Sequence, residues 1–315
     1  MRKLSSISIR LLGLAVVVAL VGVFPLAGTG STGLSSPPPS GGDVLMLKSI
    51  VDAVGEDAVP AATQVNEKAI AEGLGLKVDV VTDQQWATLT AADFAKYKAI
   101  VLGDPFCSGD DATILAAPLA NTAVWGPVVR GNVFVHTFDA ALHSGDDDDA
   151  AGTHALMAKG ITYAIGAAGK TGLYLSTSCY DGPTVAHVLD GVATGWTFVP
   201  DGDWADDVEC DLIYFVNPLP AELAGLTAEE LSHWGCSTHG FFSTWPTSFT
   251  VLGIISNIPE DEVVPPSVDT HQAKTAEGSN QEADDFTFGD LVGSPVILVR
   301  PALADPPVIE PTFTG

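Results

Sequence analysis

Asn132-Val-Phe-Val-His-Thr-Phe-Asp139, a helix-patterned stretch over 153–168, and Gly172-Leu-Tyr-Leu-Ser176 follow one another, and this succession decides the fold class. Val133-Phe-Val135 is uniformly apolar, as a strand covered on both faces must be, and Leu173-Tyr-Leu175 repeats the pattern. Two such strands joined by a long helical crossover run parallel, because a tight turn would be enough for an antiparallel pair. Ligands of a parallel sheet bind beyond the carboxyl ends of its strands. His136, Asp139 and His143 follow the first of these strands, and Tyr180 follows the second.

The same alternation extends on both sides. Apolar runs over 44–47, 77–81 and 99–102 read as strands, with helical spacing over 61–74 stopped by Gly75 and a further helical turn or two over 86–97. Residues 112–122 and 185–192 read as helices. After Gly195 the rhythm changes: 196–199, 212–216, 249–255 and 296–299 read as strands. The polar stretch over 260–285 reads as a long surface excursion.

Only 17% of the 315 residues are charged, yet 39 acidic side chains face 13 basic ones, for a formal net charge of -26. Such a chain is repelled by nucleic acid and by anionic membrane surfaces, which excludes both as expected partners. Arg2, Lys3 and Arg10 precede an apolar run over 11–27 and the small residues Gly28 to Ser31, the layout of an export signal cleaved near Gly30. A retained membrane anchor is the competing reading of that run. The expected organisation is a signal over 1–30, a Pro/Gly/Ser-rich linker over 31–42, an α/β domain over 43–300 and a Pro-rich tail over 301–315. The mature chain is expected to be secreted, with no stable membrane span.

Four cysteines, Cys107, Cys179, Cys210 and Cys236, form an even set in an oxidising compartment and imply two disulfides. Three pairings are possible. Cys179 with Cys210 is favoured for its shorter loop, leaving Cys107 with Cys236, both in loops beside the cleft.

Three features resemble the class I glutamine amidotransferase-like fold in its trehalose-utilisation-type branch, over roughly 44–299. They are the buried first strand, the third strand running into Gly103-Asp104-Pro105, and Gly131-Asn-Val-Phe-Val-His136 before a polar turn. More narrowly, Leu102-Gly-Asp-Pro-Phe-Cys107, Gly169-Lys-Thr-Gly-Leu-Tyr-Leu175 with Ser178-Cys-Tyr180, Leu231-Ser-His-Trp-Gly-Cys236 and Pro295-Val-Ile-Leu298 resemble a group of exported bacterial proteins. The resemblance implies a flavodoxin-like, three-layer α/β sandwich with a mostly parallel sheet. It also implies a cysteine nucleophile in a glycine-flanked turn after a central strand, with a downstream His and Glu. The corresponding turn here, Val135-His-Thr-Phe-Asp139, has neither the cysteine nor the glycines, so glutaminase chemistry is not expected.

Function is then expected from the cleft itself. Asp104, His136, Asp139, His143, Tyr180, Trp234 and His239 are the candidate ligand-binding residues, with His136, Asp139 and His239 as candidates for catalysis. No cofactor is required. His136, Asp139 and His143 have the donor types for zinc, and the aspartates over 146–149 suit calcium, although a solvated acidic loop explains the same residues. Asp104 is as readily a turn or helix cap. Thr227 and Glu230 form a capping box that predicts a helix over 228–234. The leading expectation is a non-catalytic extracellular domain binding a carbohydrate or cell-wall component; the alternative is a secreted hydrolase with a His/Asp or metal-assisted site.

Overall fold

Residues 41–53, 64–106, 111–145, 149–180, 182–200, 212–234, 237–255, 286–288 and 291–305 are described by the computed structural model. They fall within one compact unit, Pro37–Gly315. The expected signal, most of the linker, most of the tail, the 260–285 excursion, Asp146 to Asp148, and Cys107, Cys210 and Cys236 lie outside the described residues.

The apolar runs become strands. β1 (Val44–Leu47), β3 (Ala99–Leu102) and β5 (Thr171–Ser176) are buried at every position, as is nearly all of β4 (Val129–His136). β2 (Val78–Val81), with intermediate exposure at three of its four positions, forms the sheet edge. Most helices are short, and side-chain caps start α2, α3 and α4. α1 (Lys48–Val51) follows β1 directly, and α2 (Glu67–Gly73) starts where the Asn66 side chain accepts from Ala69 N–H. Reciprocal capping boxes, Thr82 with Gln85 and Thr90 with Asp93, split the helical stretch before β3 into α3 (Asp83–Trp86) and α4 (Ala91–Phe94). α5 (Asp111–Ile114), α6 (Ala116–Ala120) and α7 (Thr122–Trp125) lead to β4. α8 (Ala140–His143), α9 (Ala150–Ile165) and α10 (Gly182–Asp190) complete the set.

The helix expected over 228–234 does not form; only a single 3-10 turn, Glu229–Leu231, is present. Thr227 does cap Glu230 N–H, but an extended Ser232 ends the turn, and His233 follows it with a left-handed backbone, φ 69°. Ser232 instead donates to Ala228 carbonyl and accepts from Ile213 N–H, tying the segment to the neighbouring strand. The tertiary bond to Ile213 competes here with a local cap worth about 1 kcal/mol.

The main sheet runs β2-β1-β3-β5-β4-β11-β9-β7, where β7 is Ile213–Phe215, β9 Thr250–Ile255 and β11 Leu291–Arg300. Its first five strands are parallel; β11, β9 and β7 add as an antiparallel wing. β10 (Phe286–Phe288) pairs with β11, while β6 (Thr197–Val199) and β8 (Phe241–Thr244) form a separate two-stranded sheet. The protein is thus a three-layer α/β domain. Its order departs from the simplest doubly wound succession in one respect: β5 stands beside β3, with β4 beyond it.

Strand alternation sorts the core into two faces. Leu45, Leu47, Ile100, Leu102, Val133, Val135, Leu173 and Leu175 pack with Trp86, Phe94, Trp125, Val185 and Val188. Val44, Met46, Val101, Phe134 and Tyr174 pack with Ala71 of α2 and Leu156, Met157 and Ile161 of α9. α9 approaches the sheet closely at Gly160, where a Cβ would stand 2.7–2.8 Å from the Phe134 and Tyr174 rings. Gly160→Ala should therefore lower stability by about 1 kcal/mol, a clash of roughly 2 kcal/mol outweighing about 1 kcal/mol of helix propensity. Urea unfolding of the two proteins measures the difference, and a stabilised variant would show that α9 is not seated against the rings.

Candidate functional site

The carboxyl edge of the parallel strands gathers most of the polar groups singled out from the sequence, and it sorts them into a sealed set and a surface set. His136 is the last residue of β4 and is fully buried. Its Nδ1 accepts from Phe138 N–H at 3.3 Å, which assigns the ring proton to Nε2, and Nε2 donates to Tyr174 Oη at 2.7 Å. The Tyr174 hydroxyl donates onward to Glu67 Oε1 at 3.4 Å, and Asp104 N–H donates to the same oxygen at 3.0 Å. The rings of Phe134, Phe138 and Tyr174 surround the imidazole. Burial pulls His136 down to about 3, against the opposing influence of the Asp139 charge. Burial pushes Glu67 up to about 7 despite the hydrogen bonds it accepts, and pushes the Tyr174 phenol well above its ordinary range.

Glu67 was not among the sequence candidates. A glutamate in the first turn of a helix reads as an exposed partner of the helix dipole, and no local pattern marks it as buried. It is buried because its carboxylate lies over Gly103, where a Cβ would stand 2.4 Å from Oε2.

Asp104 is likewise a structural hub. Oδ1 accepts from Phe106 N–H at 2.8 Å, closing a turn, and Oδ2 accepts from Ala141 and Leu142 N–H at 3.1 and 3.3 Å. The residue caps a helix, as one sequence reading held, but that helix is α8, remote along the chain. Burial raises its carboxyl well above the ordinary range, reinforced by the nearby Asp139 and Glu67 charges.

Asp139, only 1% exposed, centres the second set. The segment over 237–239 pairs with the turn after β4: Asp139 N–H donates to Ser237 carbonyl, His239 N–H donates to Thr137 carbonyl, and Phe138 bridges Thr238. This pairing brings His239 Nε2 to 3.1 Å from Asp139 Oδ2. His143 Nε2 stands 3.4 Å from the other oxygen, and its Nδ1 is 3.7 Å from Asp149. Oδ1 accepts no hydrogen bond of good geometry among the described residues, yet the His143 ring is close enough to favour its charge. Burial pushes Asp139 up, but contacts with His143 and His239 outweigh it and hold the carboxyl below its ordinary range. The two imidazoles are 24% and 17% exposed, so an ionised carboxylate is presented to the surface through them.

Cys179 completes this group. It follows β5, precedes α10 and has a left-handed backbone, φ 59°. Its Sγ, an imidazole nitrogen of His239 and an Asp139 oxygen lie within 4.8 Å of one another. The sulfur is disulfide-bonded, which removes it from nucleophilic or ligand chemistry in this state. Its partner lies outside the described residues, so neither expected pairing is decided. The turn after β4 carries no cysteine. By place in the sheet, the turn beside β3 is that of β5, and a cysteine occupies it.

The remaining candidates are absorbed by the core. Tyr180 is buried and donates its hydroxyl to Gly103 carbonyl at 2.9 Å. Trp234 is buried against Phe138 and donates to Glu230 carbonyl. Neither ring is placed to stack on a ligand. Compared with known family models, curated proteins and solved structures, the chain gives no match.

The sealed set makes stability depend on pH. Glu67 has a folded pKa above its ordinary 4.5, so its contribution is full below about pH 4.5 and is lost as pH rises through about 7. His136 acts in the opposite sense, contributing fully above about pH 6.5 and losing that contribution as pH falls through about 3. Glu67→Gln removes the first dependence alone. Between about pH 5 and about pH 8 the variant should gain roughly 2 kcal/mol relative to the parent. Parallel thermal or urea titrations test this, and a pH-independent difference would mean that Glu67 is not a buried acid.

Proposed function

We propose that this chain is an exported domain that binds a polyhydroxylated ligand, a carbohydrate or cell-wall component, at the carboxyl edge of its sheet. The observation that carries this reading is Asp139, buried and held below its ordinary pKa range, with the partly exposed imidazoles of His239 and His143 against its two oxygens. Two rings and a carboxylate give donors and acceptors for sugar hydroxyls, and preorganisation by one buried anion lowers the ordering cost of binding. His136, Asp104 and Glu67 support the edge from beneath. Support for export comes from the amino-terminal pattern and from the oxidised Cys179. Among the described residues no helix is long and apolar enough to cross a membrane.

A second reading is favoured by the 3.1 Å contact between His239 and Asp139, which is the geometry of a general base with its orienting carboxylate. In that case the protein is a secreted hydrolase. The disulfide at Cys179 weighs for binding over thiol catalysis in this state.

A glycan and cell-wall-fragment array probed with the oxidised protein decides between them. Binding should be retained by the parent and weakened at least about tenfold by His239→Ala, with the far-ultraviolet circular dichroism of the fold retained. Turnover of a bound fragment, lost in the same variant, would establish the hydrolase instead. Absence of any retained fragment, or binding indifferent to both His239→Ala and His143→Ala, would overturn the reading.

A further inference from the structure

We propose that the carboxyl edge carries a redox-gated site for a thiophilic divalent cation of the zinc class, formed by Cys179, His239 and Asp139 when the Cys179 disulfide is reduced. This uses the residues of the ligand site but does not rest on the carbohydrate reading, which concerns the oxidised chain.

The donor atoms are already grouped. A thiolate, an imidazole and a carboxylate are three of the usual zinc ligands, and here the three donor atoms lie within 4.8 Å of one another. Tetrahedral coordination with bonds of about 2.0 Å sets oxygen and nitrogen donors roughly 3.3 Å apart. His239 Nε2 and Asp139 Oδ2 are separated by 3.1 Å, so a cation replaces the shared proton with little movement. His143 stands 3.4 Å from the second oxygen, Oδ1, with Asp149 behind it, within reach to orient the carboxylate once a cation binds. That same oxygen, buried and without an aligned donor among the described residues, is the feature of the oxidised state that a nearby positive charge would satisfy. The candidate metal set read from the sequence, His136, Asp139 and His143, is thereby revised. His136 is committed to Tyr174 and Phe138, and His239 takes its place.

The gate is the disulfide. An external dithiol reduces it by exchange: the dithiol becomes a cyclic disulfide, and two protein thiols are formed. Cys179 then passes its proton to solvent as the sulfur binds the cation.

The test uses the full exported chain, oxidised or reduced with a water-soluble phosphine, which becomes its oxide and does not compete for metal as a dithiol would. Cobalt(II) is the probe because a thiolate ligand gives it a near-ultraviolet charge-transfer band. Reduced protein should bind one cobalt per chain with that band, and zinc should displace it; oxidised protein should show no band. Cys179→Ser should abolish the band, and His239→Ala or Asp139→Asn should weaken binding at least about tenfold. A band that survives Cys179→Ser, or is indifferent to the other two variants, would assign the metal to other cysteines and overturn the proposal. So would the lack of any band, or loss of the far-ultraviolet circular dichroism of the fold on reduction. Glycan binding by the oxidised chain is measured separately, so failure of one reading leaves the other standing or falling on its own result.

Discussion

Three carboxyl groups, Glu67, Asp104 and Asp139, are buried together at one edge of the sheet, and the architecture around them is arranged to hold them. A buried carboxyl must be protonated, hydrogen-bonded or paired, since an isolated charge in the interior costs several kcal/mol. Each takes a different course. Glu67 shifts toward the neutral acid, Asp104 gathers three backbone N–H donors, and Asp139 stays ionised between two imidazoles. Because the groups raise one another's cost of ionising, the charge concentrates on the member with the histidine partners. The edge is therefore polarised: neutral and sealed beneath Tyr174, ionised toward the surface beneath His239.

That polarity depends on the order of strands. β5 lies between β3 and β4, so Tyr174 of β5 reaches His136 on one side and Glu67, over Gly103 at the end of β3, on the other. The same placement sets Cys179, at the end of β5, beside the Asp139 turn of β4. A sheet in chain order would keep β5 beside β4 but set β4 between β5 and β3, moving Tyr174 one strand spacing, about 4.8 Å, farther from Gly103 and Glu67. Close approach of α9 at Gly160 packs the helix directly on the Tyr174 and Phe134 rings, and His136 and Tyr174 are fully buried beneath it.

Much of the fold was legible in the residues. Buried strands announce themselves as short apolar runs, and the caps at Asn66, Thr82 and Thr90 mark helix starts by chemistry local to a few residues. Where a local signal competed with distant partners it failed. Thr227 and Glu230 make their cap, yet the helix they predict is replaced by a turn tied to β7 through Ser232. The site was half legible. Strand ends pointed to Asp104, His136 and Asp139 correctly as edge residues, but exposure and partnership are properties of packing. Tyr180 and Trp234, candidate ligand-binding residues, are buried in the core, and Glu67, marked by no local pattern, is buried beside Tyr174.

The sequence by itself determined the class of the fold, the net acidity of the chain, and the residues standing at the ends of the strands, because each follows from composition or from a pattern a few residues long. Only the tertiary structure decided that His239, a hundred residues away, is the partner of Asp139, that His136 is sealed, and that the cysteine beside the central strands is Cys179. Those outcomes depend on strand order and on the pairing of the 237–239 segment with the β4 turn. Neither has a local energetic signature, since both are set by which surfaces fit together once the sheet has formed.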